Sequence, residues 1–167
     1  MFVGDIMNID ISSLKSGVLN KLEINEDCNF DKELLSQTDL LELKDVVVSG
    51  YLFLDSLGEY QISLDITGVM VLPCAITLKP VSYPFNIEID GNVLDLLDEI
   101  DENSKKFENT IDIFPIIWEN ILMEIPLRVV AEDAKEVTMA GDGWRFVTDL
   151  EAKGTTNSEL EKLKDLL

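Results

Sequence analysis

The sequence predicts an α+β fold, in which a mainly antiparallel, curled β-sheet is packed by one long apolar helix and carries a C-terminal helical appendage. Apolar and polar residues alternate between residues 60 and 89, which is the period of half-buried strands. Residues 113–125 are apolar around most of a helical turn, so this helix is expected to lie against the sheet. We assign residues 1–150 to a single domain and residues 151–167 to a flexible tether followed by a short helix.

Three strands are predicted between residues 46 and 89. The first is apolar on both faces and ends in a hairpin at residues 55–58. The second is interrupted by Gly68, which indicates a bulge or a close approach of another part of the backbone. The third contains Pro84, which cannot donate to a ladder, so this strand is expected at an edge. A turn at residues 90–92 is expected to end it.

The rest of the chain predicts shorter elements around that sheet. Two strands are expected at residues 7–11 and 18–24, and a short helix over residues 30–41 with Asp31 near its start. Residues 93–100 suit either a helical turn or a flexible acidic loop. Asp112 is expected to cap the long helix, with Pro115 tolerated in its first turn.

Residue types that are missing or rare exclude several functions. The chain has no histidine, which removes the commonest general base and the commonest metal ligand. Its two cysteines, Cys28 and Cys74, are too few for a disulfide framework or a structural zinc site. We therefore expect no enzymatic activity, no bound metal and no cofactor, and a reducing cytoplasm as the setting.

The net charge is the strongest positive signal in the composition. With 33 acidic against 13 basic residues, the formal charge is −20 at pH 7. Such a charge repels nucleic-acid backbones and anionic lipid surfaces and attracts basic proteins. The alternative is an acidic protein whose charge only prevents aggregation. No apolar run approaches the roughly 20 residues that cross a bilayer, so no membrane contact is expected.

Four stretches, taken in order, resemble one protein family. They are Leu-Pro-Cys-Ala-Ile-Thr-Leu-Lys-Pro at residues 72–80, a helix that begins at Asp112-Ile113 and ends in Ile125-Pro126, Gly-Asp-Gly-Trp at residues 141–144, and a terminal Leu-Glu-Lys-Leu-Lys-Asp-Leu-Leu. Together they resemble the YceD-like family of bacterial large ribosomal RNA subunit accumulation proteins. The resemblance runs over nearly the whole chain.

The cysteines depart from the pattern of that family. Many members carry Cys-x-x-Cys-Leu-x-Pro at the corner between two strands and a further cysteine cluster after the helix. Here Cys74 matches the first cysteine, Thr77 replaces the second, and residues 129–144 contain none. A tetrathiolate zinc site is therefore excluded. We expect packing of Leu78 and Pro80 to hold the corner, and Cys74 to be a small buried residue, because nothing nearby in sequence favours its thiolate.

The resemblance implies a non-enzymatic ribosome-biogenesis factor that supports accumulation or processing of large-subunit ribosomal RNA. The charge favours a basic ribosomal protein, an assembly protein or a pre-ribosomal particle as the partner. Direct contact with ribosomal RNA is the second hypothesis and small-ligand binding the third, and the oligomeric state stays open. The candidate RNA contacts are Lys105, Lys106, Arg128 and Arg145, with stacking by Trp144. The candidate structural or partner contacts are Cys74, Thr77, Leu78, Pro80, Gly141, Gly143 and Trp144.

Overall fold

The computed structural model describes residues 7–100 and 109–134, together with the backbone of residues 140, 141, 144 and 145. Antiparallel strands and several helices follow one another in these parts of the chain, which confirms the α+β class. In order, the elements are β1 (Asn8–Asp10), α1 (Ser12–Lys15), β2 (Lys21–Cys28), α2 (Lys32–Leu35), β3 (Glu42–Leu54), β4 (Tyr60–Pro73), β5 (Pro80–Asn92), α3 (Val93–Ile100), β6 (Thr110–Asp112), α4 (Phe114–Glu124), a 3₁₀ turn (Glu132–Ala134), β7 (Ala140–Gly141) and β8 (Trp144–Arg145).

The main sheet is a four-stranded antiparallel meander in the order β2-β3-β4-β5. Strand β1 pairs separately with β6, and β7 pairs with β8. Within the described residues the meander does not close on itself, so β2 and β5 are its two edges. The edge position predicted for the strand that holds Pro84 is confirmed.

The predicted hairpin at residues 55–58 is present and is held by one carboxylate. Asp55 Oδ1 accepts hydrogen bonds from the backbone N–H groups of Leu57, at 2.8 Å, and Glu59, at 2.9 Å. These bonds stabilise the charged form and lower the pKa of Asp55. Gly58 has φ +80°, a conformation that glycine adopts without steric cost.

Glycine also lets β3 and β4 come close together. Gly50 has φ +151°, and a Cβ added there would overlap the carbonyl oxygen of Ser63. The β3–β4 register shifts between Lys44 and Val47, so two β3 residues, Asp45 and Val46, bulge opposite the single β4 residue Gly68. Gly68 pairs regularly with Phe85, whose ring, together with Val46, leaves no room for a side chain. Gly68 therefore meets both expectations: it lies at a bulge, on the strand opposite the two bulged residues, and the close approach is made by side chains rather than backbone.

Helix α4 begins one residue later than predicted, and its cap differs. Ile113 is the N-cap residue, and Pro115 lies in the first turn as expected. Asp112 Oδ1 accepts from the backbone N–H of Phe114 at 3.0 Å and from that of Met7 at 3.2 Å. The carboxylate therefore tethers the residue before β1 to the start of α4, in addition to bonding the first turn.

The core lies between the meander and the helices. Ile62, Leu64 and Ile66 of β4 are at most 2% exposed, and the buried residues of α3 and α4 belong to the same cluster. The predicted packing of the long helix on the sheet is confirmed. The buried residues of α4 are Phe114, Ile116, Ile117, Trp118 and Ile121.

Three local predictions were wrong in extent. Residues 30–41 contain only the single turn α2, because Ser36 and Thr38 hydroxyls donate to the carbonyls of Glu33 and Leu35 and end it. Strand β2 lies three to four residues later than predicted. Residues 90–92 form no turn: they complete β5, and Asn92 Oδ1 accepts from Leu94 N–H as α3 begins.

Two further predictions concern the C-terminal appendage and membrane-spanning segments. The C-terminal appendage at residues 151–167 lies outside the described residues. Among the residues described, no helix is both long and apolar enough to span a bilayer.

Candidate functional site: the Cys74 corner and the outer sheet face

The corner between β4 and β5 is held mainly by backbone hydrogen bonds. Cys74 N–H donates to the carbonyl of Lys79, and Leu78 N–H donates to the carbonyl of Cys74, at 2.8 and 2.9 Å. Ala75 N–H donates to the carbonyl of Val129, also at 2.8 Å. The corner is thereby joined to the segment that follows α4.

Cys74 lies at the centre of this junction and is fully buried. Its sulfur accepts from the backbone N–H groups of Ala131, at 3.4 Å, and Ile76, at 3.5 Å. These donors, the Ala131 N–H above all, together with the backbone and hydroxyl of Thr77, lower the pKa of the Cys74 thiol to about 6 against the opposing effect of burial. The buried position was predicted correctly. The expectation that nothing nearby in sequence favours the thiolate missed the donors of Ile76 and Thr77, and the main donor, Ala131, is 57 residues away in sequence.

The expectation that Leu78 and Pro80 hold the corner by packing was also wrong. Leu78 is 76% exposed and has φ +58°, a conformation that costs a branched side chain roughly 1–2 kcal/mol. Pro80 is exposed and opens β5. Thr77 is half-buried, and its hydroxyl oxygen is buried without a hydrogen bond of ordinary geometry. The corner therefore presents Leu78 outwards while Cys74 anchors it from within.

The other predicted site residues are described only in part. Arg128 is exposed and makes an interaction within the protein. Gly141 pairs with Trp144, and Ala140 with Arg145, so the backbone carries the two-stranded pairing that a tight turn requires. Side chains there, and all of Lys105, Lys106 and Gly143, lie outside the described residues.

A second feature, the outer face of the meander, was not predicted as a site. We call the five exposed carboxylates on the sheet face opposite the helices the acidic face: Glu23, Asp27, Asp65, Glu88 and Asp90. In the sheet register, Glu23 shares a rung with Tyr51, Ser63 and Asp90, and the next rung carries Asn25, Ser49, Asp65 and Glu88. Each rung spans roughly 14 Å.

The acidic face has an unfavourable charge arrangement. Asp65 and Glu88 lie directly opposite each other on β4 and β5, and like charges in that position destabilise a sheet. Among the described residues, ion pairs join only Lys44 to Glu42 and Lys79 to Asp133, so none neutralises this face. The aromatic rings of Tyr51 and Phe53 lie 5.9 Å apart on the same face, with Lys21 3.4 Å from the centre of the Tyr51 ring.

Half-exposed aromatic rings and carboxylates lie side by side on this face, so it combines apolar surface with negative charge. Within the described ranges, no three side chains of the metal-binding types come close enough to hold an ion. The fold and surface therefore define an acidic α+β domain, built on an open four-stranded meander with one helix-covered face and one wet face.

Comparison with known proteins places this domain in a family. The family model described as large ribosomal RNA subunit accumulation protein YceD matches residues 62–167. The chain is also similar to "Uncharacterized protein YlbN" of Bacillus subtilis (strain 168), with 31% identity over 153 residues that cover 87% of each chain. The chain belongs to the YceD family, as its motifs predicted. No solved structure matches it.

The acidic face escaped prediction for a specific reason. The alternation in β4 and β5 identifies which side chains are wet, including Asp65, Glu88 and Asp90. The alternation does not give the register that aligns Asp65 with Glu88, or the strand order that places β2 at the far edge. Both depend on turns and on packing. The corner motif was visible in sequence, whereas its contact with residues 129–131 was not.

Proposed function

We propose that this protein is a cytoplasmic, non-enzymatic factor that supports accumulation of large-subunit ribosomal RNA by binding a basic ribosomal or assembly protein. The role in ribosomal RNA accumulation is the one named by the family model. The absence of histidine supports a binding rather than a catalytic role.

The acidic face is the observation that carries this proposal. It holds five exposed carboxylates, and the covered face of the sheet is already used for the core. A negative surface of this kind attracts cationic protein segments at long range. The like charges of Asp65 and Glu88 lower the stability of the sheet. A surface without a binding role would gain nothing in return for that loss.

Direct RNA binding has less support from the described surface. An RNA backbone needs several converging cations. Lys79 is 3.2 Å from Asp133, and Lys21 lies over Tyr51 beside the acidic face. Arg128 is the one candidate RNA contact whose side chain is described.

The test is purification of the tagged full-length protein from its own cytoplasm, followed by identification of the proteins that accompany it. The test variant Asp65→Asn/Glu88→Gln/Asp90→Asn removes three charges from the acidic face. A charge-matched control, Glu33→Gln/Asp39→Asn/Glu124→Gln, removes three exposed carboxylates elsewhere. Trp144→Ala and a chain that ends before Gly154 test the family motifs.

We expect the full-length protein and the control to retain a basic ribosomal or assembly protein that the test variant loses. Nuclease treatment should leave the partner bound. If nuclease releases everything ribosomal, the partner is RNA and the proposal fails in favour of the second hypothesis. If no basic protein is enriched with any variant at low salt, the proposed function is wrong.

A further inference from the structure

The free edge of the meander at β2 borders a groove that no part of the described core fills. The groove has a volume of about 450 Å³. One wall is β1, the other is β2, and Phe114 at the start of α4 contributes to its lining. Its lining includes the apolar residues Met7, Ile9, Leu22 and Ile24 and the carboxylates of Glu23, Glu26 and Asp27.

Both walls of the groove present unpaired strand edges. Strand β1 uses one side to pair with β6, and β2 uses one side to pair with β3 over all eight of its residues. In the described parts of the chain, neither strand pairs with a further strand on its other side. In an antiparallel strand the backbone N–H and C=O groups of alternate residues point to opposite sides, so half of those in β2 face away from β3.

The wall formed by β1 is fixed in place. Asp112 Oδ1 accepts from Met7 N–H, and Ile113 N–H donates to the Met7 carbonyl, both at 3.2 Å. These bonds attach the residue that precedes β1 to the start of α4. The groove is therefore bounded by an anchored strand rather than by a loose end.

The carboxylates along β2 are not in an ion pair with any described residue. Glu26 lies in the row of side chains that points to the core, between buried Ile24 and half-buried Cys28, yet it is exposed to the groove. Its register partner Val48 is fully buried. No ion pair with another described residue neutralises Glu23, Glu26 or Asp27. The charge of Glu26 interrupts the otherwise apolar row of side chains on the core side of β2.

A charged edge of this kind can serve simply to prevent pairing with another copy of the protein. That explanation accounts for the charges, because two β2 edges brought together would oppose three carboxylates to three. It does not account for the groove, for its apolar side or for the second unpaired edge in β1. All three features suit an extended chain, and the charges select a cationic one.

We propose that an extended, basic segment of the partner protein adds to the sheet as a β-strand in the groove between β1 and β2. Its backbone pairs with the free edge of β2, its apolar side chains lie towards Ile9 and Ile24 on the core side, and its lysine or arginine side chains face Glu23 and Asp27 on the outer side. This proposal rests on the proposed function and adds the position and conformation of the bound segment.

The experiment measures binding of a fluorescent ten-residue peptide of alternating lysine and valine to the full-length protein at low salt. Two further peptides carry the same side chains and charge, but one is N-methylated at the lysines and the other at the valines. N-methylation removes backbone donors, so one of these two peptides should lose most of its affinity while the other loses less. A peptide held only by charge would lose equally little with both.

Protein variants locate the peptide. Glu23→Gln/Glu26→Gln/Asp27→Asn should weaken binding about tenfold, because two exposed ion pairs and the nearby charge of Glu26 are lost. The control Glu33→Gln/Asp39→Asn/Glu124→Gln should change it less than about threefold, since those charges lie away from the groove. Light scattering of the free protein checks that the β2 variant has not dimerised through the groove.

The outcomes separate this inference from the function on which it rests. Tenfold weakening in the β2 variant, together with sensitivity to one set of N-methyl groups, supports strand addition. Binding that ignores N-methylation and the β2 charges, but is lost in Asp65→Asn/Glu88→Gln/Asp90→Asn, overturns the inference and leaves the acidic face as the binding surface. Absence of binding by any cationic peptide would count against both.

Discussion

The two edges of the meander are protected in different ways. Strand β5 begins with Pro80 and contains Pro84, and proline has no backbone N–H to offer an added strand. Strand β2 has no proline, and it relies on carboxylates instead. Proline blocks every partner alike, whereas a carboxylate repels anionic partners and attracts cationic ones. We therefore expect the first half of β5, which holds both prolines, to be a closed edge, and β2 to be a selective one.

The largest expected effect concerns the close contact between β3 and β4, which join the two edges of the meander. Gly50 lies in β3, where β3 packs closely on β4, and Gly50→Ala would place a Cβ against the carbonyl of Ser63. We expect a loss of roughly 3 kcal/mol or more in the free energy of unfolding, because backbone cannot move aside as a side chain does. Urea unfolding followed by circular dichroism measures it.

Gly58→Ala is the matched control for that substitution. Gly58 also has a positive φ, but a Cβ there meets nothing within 4 Å. It should cost only about 1 kcal/mol, from backbone strain alone. Equal losses in the two variants would contradict the close approach of β3 and β4 at Gly50.

A second prediction concerns the corner that positions the start of β5. The pKa of the Cys74 thiol is lowered to about 6, so its hydrogen bonds stabilise the folded protein fully above the thiol pKa of the unfolded chain. That contribution should be lost as the pH falls from about 9 through about 6. Cys74→Ser lacks the titration, and Cys28 is common to both proteins.

Urea midpoints of both proteins at pH 6, 7.5 and 9 check this prediction. The wild-type protein should gain stability relative to Cys74→Ser as the pH rises. Parallel pH dependence of the two proteins would show that the Ala131 and Ile76 donors do not stabilise a thiolate.

A third prediction opens the closed edge. Pro84→Thr restores a backbone N–H on β5 and adds a side chain that suits a strand, so this variant should self-associate more than the wild-type protein. Size-exclusion chromatography with light scattering measures the change in mass with concentration. Ser82→Thr, on the same row of β5, keeps the proline and should leave the mass unchanged. Unchanged mass in both variants would mean that proline does not protect this edge.

The smallest expected effect concerns the like charges that face each other on β4 and β5. Glu88 lies opposite Asp65, whereas Asp90 lies opposite Ser63. Glu88→Thr should therefore stabilise the protein more than Asp90→Thr does, by roughly 0.2–1 kcal/mol at low salt. The difference should shrink in about 0.5 M salt, because the Debye length is then only a few ångströms. A larger gain for Asp90→Thr would contradict the register.

The sequence was informative where a local pattern determines structure. Alternation in β4 and β5, the proline of the edge strand and the apolar helix α4 all follow from residue types within one element. The single turn α2 was overestimated because Ser36 and Thr38 bond to nearby carbonyls and end it early.

The site was harder to predict because its parts are distant in sequence. Cys74 receives a hydrogen bond from Ala131, and the groove combines β1, β2 and the start of α4. The acidic face depends on the register of four strands, and Leu78 points outwards because its backbone is left-handed. Such relations come from topology, which residue spacing does not encode.

Amide hydrogen exchange of the full-length protein, with and without the ten-residue lysine–valine peptide, tests strand addition at β2. We expect the peptide to slow exchange in β2, at residues 21–28, and to leave the outward amides of β5 unchanged. Slower exchange along β5 with no change in β2 would contradict the assignment of a selective and a closed edge, and with it the proposed position of the partner.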